Sequence, residues 1–493
     1  MSEADDRQAP TTGSTPPPLG AAPAIGPVVE PPRVSLRATV RLAFSGHELD
    51  FTREPLRRAI TLLALPMALE LALESVFAVV DVFFVARLGV AAVAAVGLTE
   101  AAVTLIYAVA TGASAATTAL VARRYGEGRR AEAAIAGVQS IYVALAISAA
   151  VAGLGLPGAA ALLQIMGGSP TVVETGRGFT AVLLGGSATI MLLFINNAIL
   201  RGTGDAARAL RALWLANVAN IVLDPCLIFG LGPFPELGLT GAAVATTTGR
   251  GLGIVYQLAV LTRGNARLRI DRSALPVRWT VVRGFLRIAA GGVGQYLIST
   301  SSWIVLVRLL SGFGAVAVAG YTIAIRIVGF ALLPSWGVAN AAATLVGQNL
   351  GARRPDRARS ATWLAGVYNA VFLSLVAVGF IAAARPVVGL FTSNPEVVGI
   401  GAACLRILAY GYGFYAFGMV VVQAFNGAGD TVTPTVINVF CYWLFEIPLA
   451  WLLARGLARG PAGVFWAITI AEAVMTIVAV LAFRRGRWLA RRI

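Results

Sequence analysis

Residues Gly202-Thr203-Gly204-Asp205 return 225 positions later as Gly427-Ala428-Gly429-Asp430. The same offset carries Gly89 onto Gly314, Val93-Ala94 onto Val318-Ala319, Gly112 onto Gly337, Leu120-Val121 onto Leu345-Val346 and Gly126 onto Gly351. Held from Gly89 to Asp205 without a slip, it marks an internal duplication rather than a chance likeness between apolar runs. Between the matched motifs lie runs longer than the roughly 18–20 apolar residues that cross a bilayer. Twelve spans can be read, at roughly 59–86, 92–121, 133–155, 177–200, 209–231, 238–262, 281–310, 315–346, 359–384, 398–425, 433–454 and 461–483. Runs of this length are helices, not barrel strands. Six spans per repeat return the chain to its starting side, so the halves run parallel, related by an axis along the membrane normal.

The fold class expected is therefore an all-α polytopic membrane protein, twelve transmembrane helices in two parallel six-helix repeats forming two lobes. The expected boundaries are an N-terminal tail over 1–55, an N-lobe over 56–263, a linker over 264–280, a C-lobe over 281–483 and a basic tail over 484–493. Composition agrees. Of 493 residues 58% are hydrophobic and 13% charged, where soluble domains carry about 25% charged residues. Cys226, Cys404 and Cys441 sit inside apolar runs and His47 is the single histidine, so neither a disulfide framework nor a Cys/His metal site is expected.

The net charge of +16 comes from 39 basic residues, all arginine, against 23 acids. With the N-terminus inside, the inner loops hold Arg123, Arg124, Arg129, Arg130, Arg201, Arg208, Arg211, the stretch Arg263 to Arg287, and Arg353 to Arg359, while outer loops hold few. This positive-inside bias places both termini in the cytoplasm of a plasma (inner) membrane protein. It also accounts for the charge without nucleic acid, because the arginines are spread over separate loops. Thr11 to Pro32 is rich in Pro, Gly, Thr and Ala and reads as disordered. Arg33 to Arg58 reads as a basic solvated tail, with a course along the membrane surface as the alternative.

Charges inside a span cost a few kcal/mol or more and are seldom kept without use. The first span carries Glu70, Glu74 and Asp81. At 100° per residue Glu74 and Asp81 lie about 40° and 20° from Glu70, so the three share a stripe about 16 Å long. Pro66, one turn earlier, is expected to bend this helix. The fifth span carries Asn217, Asn220 and Asp224 on one face, and the sixth Thr246, Thr247 and Thr248. A single Asn217 or Thr248 can simply join helices. Two carboxylate faces in one half can hold Na⁺ or trap a proton. The second half has Leu306 and Leu449 where the offset seeks the acids, with Glu446 off register. The cation site is thus expected mainly in the first half.

Pro66-(x14)-Asp81-(x7)-Gly89, Arg201-Gly202-Thr203-Gly204-Asp205, Asn220-(x3)-Asp224-Pro225 and Gly241-Ala242-Ala243-Val244-Ala245-Thr246 together resemble the MATE family (multidrug and toxic compound extrusion). The resemblance covers about residues 57 to 483. It implies a secondary transporter with no catalytic residues and no bound cofactor. Such a protein exchanges small amphipathic, often cationic organic compounds for H⁺ or Na⁺ by alternating access. By matching positions it implies a cation site of Asp81, Asn220, Asp224 and Thr246. The NorM-like branch has acids that fall here at about Ser299 and Tyr415, so the likeness is closer to the DinF-like branch. Glu70, Glu74 and Asn217 are expected in the substrate cavity, with Glu74 helping to choose cationic cargo. For Glu70 and Glu74, packing against Arg308 or Arg326 is the alternative. Expected partners are small organic cations and the lipid bilayer, with the protein a monomer. The alternative function is a flippase of lipid-linked oligosaccharides or lipids; such proteins often have fourteen helices and a basic cavity. An intramembrane enzyme lacks its residues here, with no His in a span and no Ser–His–Asp set.

Overall fold

Apolar runs with few breakers become long rods in the computed structural model, which describes residues 36–46, 49–263, 267–491 and 493. The tail expected over residues 1–35, with His47 and part of the linker, lies outside the described residues. Twelve rods follow one another: α1 (Leu56–Ala86), α2 (Val90–Gly126), α3 (Arg130–Ile165), α4 (Pro170–Gly202), α5 (Ala206–Phe229), α6 (Gly238–Thr262), α7 (Trp279–Ser311), α8 (Ala315–Gly351), α9 (Pro355–Gly389), α10 (Pro395–Tyr410 and Tyr412–Gly427), α11 (Val432–Gly456) and α12 (Pro461–Arg484). Among the described residues nine of these are long and apolar enough to cross a membrane, ten with the two pieces of α10 as one span. The other two, α1 and α6, have the length but carry Glu70, Glu74 and Asp81, and Thr246 to Arg250.

The duplication extends to single backbone angles. Gly89 and Gly314, which start α2 and α8, have φ of 99° and 97°. That region is closed to most side chains, so glycine recurs there. Ser169 and Asn394 cap α4 and α10 ahead of Pro170 and Pro395, each side chain accepting from backbone N–H groups of the first turn. Both rods then break at equivalent points, Gly186 and Gly411, and the pieces of α10 meet at 58°. One pair is unequal: Gly128 has φ of 75°, and its counterpart Arg353 holds φ of 57° with a full side chain.

The lobes meet through exchanged contacts. A Cβ on Gly112 of α2 would lie 2.4 Å from the backbone N of Val293 in α7, and one on Gly337 of α8 would lie 2.4 Å from that of Ala68 in α1. Gly126 and Gly351 repeat this at the rod ends, against the carbonyls of Gln348 and Arg123. In each case both partners are related by the 225-residue offset. Small residues are needed where rods approach this closely.

At this arginine-rich end the described part of the N-terminal segment differs from a solvated tail. Leu36–Ser45 is a helix, and Arg211 donates to the carbonyl of Phe44. Phe51 is 2% exposed, beneath Gly204 and the Arg267 guanidinium. Carbonyls of Phe51, Thr52 and Glu54 accept from Arg354 and Arg357 of the second repeat. On the other side Arg491 pairs with Asp430, and Ile493 packs on Gly429. Glu127 ties Arg123, Arg124 and Arg129 together at 3.5, 3.0 and 3.1 Å. Burial works against its charge, but the hydrogen bonds and charges of Arg124 and Arg129 outweigh that and hold the carboxyl below its usual range.

The expected bend at Pro66 leaves no break. α1 continues as one helix from Leu56 to Ala86, with Pro66 buried inside it.

Candidate functional site

Two chambers among the described residues are lined by polar groups of the spans. The smaller, about 50 Å³, lies within the first repeat, between α1, α4, α5 and α6. The approach of α5 and α6 depends on glycine: a Cβ on Gly241 would lie 2.3 Å from the carbonyl of Leu227, and one on Gly249 would lie 2.6 Å from that of Ala216. That approach lets Asn220 Nδ2 donate to Thr246 Oγ1 at 3.0 Å and to Asp224 Oδ1 at 3.4 Å. Asp224 is fully buried, and Asp81 on α1 is close enough for its charge to act on it. Three oxygens remain buried without a hydrogen-bond partner: Asp81 Oδ1, Asn220 Oδ1 and Asp224 Oδ2. Buried acceptors left unpaired cost about 1–3 kcal/mol each, and more when charged. This set, two carboxylates, an amide and a hydroxyl, suits a proton or a hard monovalent cation.

Glu70, which lines the chamber with Asn220 and Thr246, is 4% exposed. Its Oε1 accepts from Asn197 at 2.8 Å and lies 3.8 Å from Arg201. Asn197 in turn accepts from Gln257 at 2.6 Å. Glu74, Asn217 and Arg250 line the chamber too, and Arg250 donates to Tyr107 at 2.8 Å. The partner of Glu70 is thus Arg201, not Arg308 or Arg326. Glu70, Glu74 and Asn217, expected in the substrate cavity, line this small chamber and not the large one. Helix periodicity put Glu70 and Glu74 on one face of the first span and Asn217 with Asn220 on the fifth, but it could not say which of the two hollows those faces meet. Asn197 and Gln257 were missed, although the rule that polar groups in spans are kept for use applies to both.

The larger chamber, about 840 Å³, lies between the lobes, with most of its wall from the second repeat. Tyr296, Trp303, Tyr321, Trp336, Tyr412, Tyr415 and Tyr442 give it an aromatic lining. Ser299 and Tyr415, where the resemblance sought acids and found none, both lie in this wall. Its acids are Glu446 and Glu472, and its only charged base among the described residues is Arg201, already engaged by Glu70. Glu472 was overlooked in the sequence; a carboxylate in the twelfth span was the available signal.

A family model described as MatE matches residues 66–226 and 293–452. A probable multidrug resistance protein NorM of Thermotoga maritima is 26% identical over 441 residues, covering 89% of this chain and 94% of its own. An FAD transporter of Shewanella oneidensis is 26% identical over 426 residues, covering 86% and 93%. Among solved structures, one described as MATE in the straight conformation superposes with a TM-score of 0.83, at 27% identity, over 88% of this chain and 97% of that one.

Proposed function

Because the chain belongs to the MatE family of multi-pass membrane transporters, we propose that it exports small amphipathic, mostly cationic organic compounds in exchange for H⁺ or Na⁺. The observation that carries this is the trio of buried, unpartnered oxygens on Asp81, Asn220 and Asp224, beside a separate aromatic cavity between the lobes. Asp81 and Asp224 hold the coupling ion, with Asn220 and Thr246 as neutral ligands. Cargo sits in the large cavity. The protein works as a monomer in the plasma membrane, with its arginine-rich end and both termini in the cytoplasm.

Alternating access then means opening the glycine contacts at Gly112, Gly126, Gly337 and Gly351, which keep the lobes together at that end. A ligand can drive this only through different affinities for the two states. Proton or Na⁺ entry at Asp81 and Asp224 removes two like charges from mutual repulsion and favours one packing of α1 on α5. For one monovalent cation out per monovalent cation in, no net charge moves, so only the chemical gradient drives export; a neutral cargo gains about 2.3 kcal/mol per 100 mV as well. Twelve rods and an acidic cavity support an exporter over the lipid-linked oligosaccharide flippase.

Purified protein in proteoliposomes, given an H⁺ or Na⁺ gradient and ethidium, tests this reading. Gradient-driven dye movement that vanishes in Asp81→Asn and Asp224→Asn is the expected result. Movement at wild-type rate in either variant removes the coupling ion from this position.

A further inference from the structure

The second repeat has lost the acids of the first at the matched positions, yet it has carboxylates of its own, and they face the other hollow. Glu446 on α11 is 3% exposed and lines the large cavity. Among the described residues it accepts no hydrogen bond and joins no ion pair. Glu472 on α12 lines the same wall; its Oε1 accepts from the Tyr442 hydroxyl at 3.1 Å, and its Oε2 is buried with no partner. The two carboxylates thus line one cavity from neighbouring rods.

The backbone of α11 departs from a regular α-helix along the stretch that carries Glu446, and again over Leu452–Gly456. Asn438, Tyr442 and Glu446, four residues apart, all line the cavity. In a regular α-helix each step of four overshoots a full turn by about 40°, so Glu446 would lie about 80° round from Asn438. From Val439 to Glu446 the helix is instead π-helical, which turns less per residue and so shifts where these three side chains fall relative to a regular helix. Its counterpart α5 is regular from Ala206 to Phe229. Such π-helical turns are frequent at functional sites.

We propose that Glu446 and Glu472 form a receptor for the positively charged centre of an organic cation, distinct from the Asp81–Asp224 site. The proposal rests on the export reading and assigns the cargo's charge to the second lobe. Chemistry favours an organic cation over a bare ion. In the first repeat Asp224 accepts from the amide of Asn220, which also bonds the Thr246 hydroxyl, and these two neutral residues border a hollow of only about 50 Å³, the scale of a small ion. Here the carboxylates border about 840 Å³, in a wall that also carries tyrosine and tryptophan rings. Tyr442 donates to Glu472, and Tyr321 and Tyr415 line the same cavity. A cation carrying apolar bulk cancels the repulsion between the acids while its body rests on aromatic faces.

Tetraphenylphosphonium binding to the purified full-length protein, by equilibrium dialysis without any gradient, tests this. Triphenylphosphine oxide serves as a neutral companion. Glu446→Gln and Glu472→Gln should each weaken cation binding at least tenfold and leave the neutral probe unchanged. Asp81→Asn should bind the cation as the wild type does, even while transport fails. Glu446→Asp, which keeps the charge, should recover part of the loss. Wild-type affinity in both glutamine variants overturns the proposal. So does loss of both probes together, since the carboxylates would then shape the cavity rather than read charge. A wild-type protein without affinity for the cation overturns it as well. Binding needs no gradient, so failure of the coupling reading shows separately, as transport that survives Asp81→Asn.

Discussion

In the first repeat the polar side chains of α1, α4, α5 and α6 turn toward one another around about 50 Å³; in the second, those of α11 and α12 face a cavity of about 840 Å³. The rods that carry them began as copies. Their turns still coincide, down to φ of 85° at Gly204 and 80° at Gly429. Turn geometry and glycine contacts survive because each has one backbone solution. Polar groups are free to move, because any face of a span that meets a hollow can carry one. Duplication kept the frame of turns and glycine contacts while the polar side chains diverged, and the proposed function assigns ion chemistry to one lobe and cargo contact to the other.

The sharpest way to break this division is at the carboxylates. Asp81→Asn should abolish export of cationic and neutral cargo alike in proteoliposomes, whereas Glu446→Gln should spare neutral cargo. If both variants lose only cationic cargo, the lobes share one task.

The glycine contacts come next. Gly112→Leu and Gly337→Leu both force a side chain onto backbone and should each cost about 1–3 kcal/mol or more, read as a fall in folded yield and in Tm in detergent. Gly97, with nothing within 4 Å of a Cβ, is the control, and Gly97→Ala should not destabilise. A drop at one of the pair only would show that the two exchanged contacts are not equivalent.

Gly204→Val strains a positive φ and drives a Cβ into the Phe51 ring, to within 2.5 Å of its nearest carbon. Left-handed backbone costs a branched residue about 1–2 kcal/mol. Lower folded yield with unchanged cargo range is expected, and normal yield with altered range would contradict a structural role.

Glu74→Gln sharpens the comparison at smaller amplitude. Since Glu74 lines the small chamber with Arg250, the variant should slow export of cationic and neutral compounds to the same degree. A selective loss for cations would return Glu74 to cargo choice. Smallest of all is Arg353→Gly, which restores the residue type of Gly128 at φ of 57°. It should raise stability by no more than about 1 kcal/mol, visible as a slightly higher Tm; a lower Tm would mean the arginine side chain contributes more than its backbone costs.

Much of this was legible in the sequence. Span length, the 225-residue offset and the absence of strand patterning determined a duplicated helical membrane protein, because a bilayer leaves no other way to satisfy the backbone. The stripe on α1 and the Asn220–Asp224 spacing determined which acids share a helical face, because helix periodicity is local. Tertiary structure decided the rest. Only packing shows that Glu70 answers to Arg201 and Asn197, partners more than a hundred residues away by position. Only packing separates the hollow that Glu74 meets from the one that Glu446 meets. The ordering of Phe51 under Gly204 is likewise invisible in a basic, Pro-flanked segment, since its burial depends on Arg267, Arg354 and Arg357 converging from other parts of the chain. The π-helical run in α11 belongs here too: its residues read as an ordinary apolar span, and the register of a helix is settled by what its faces touch.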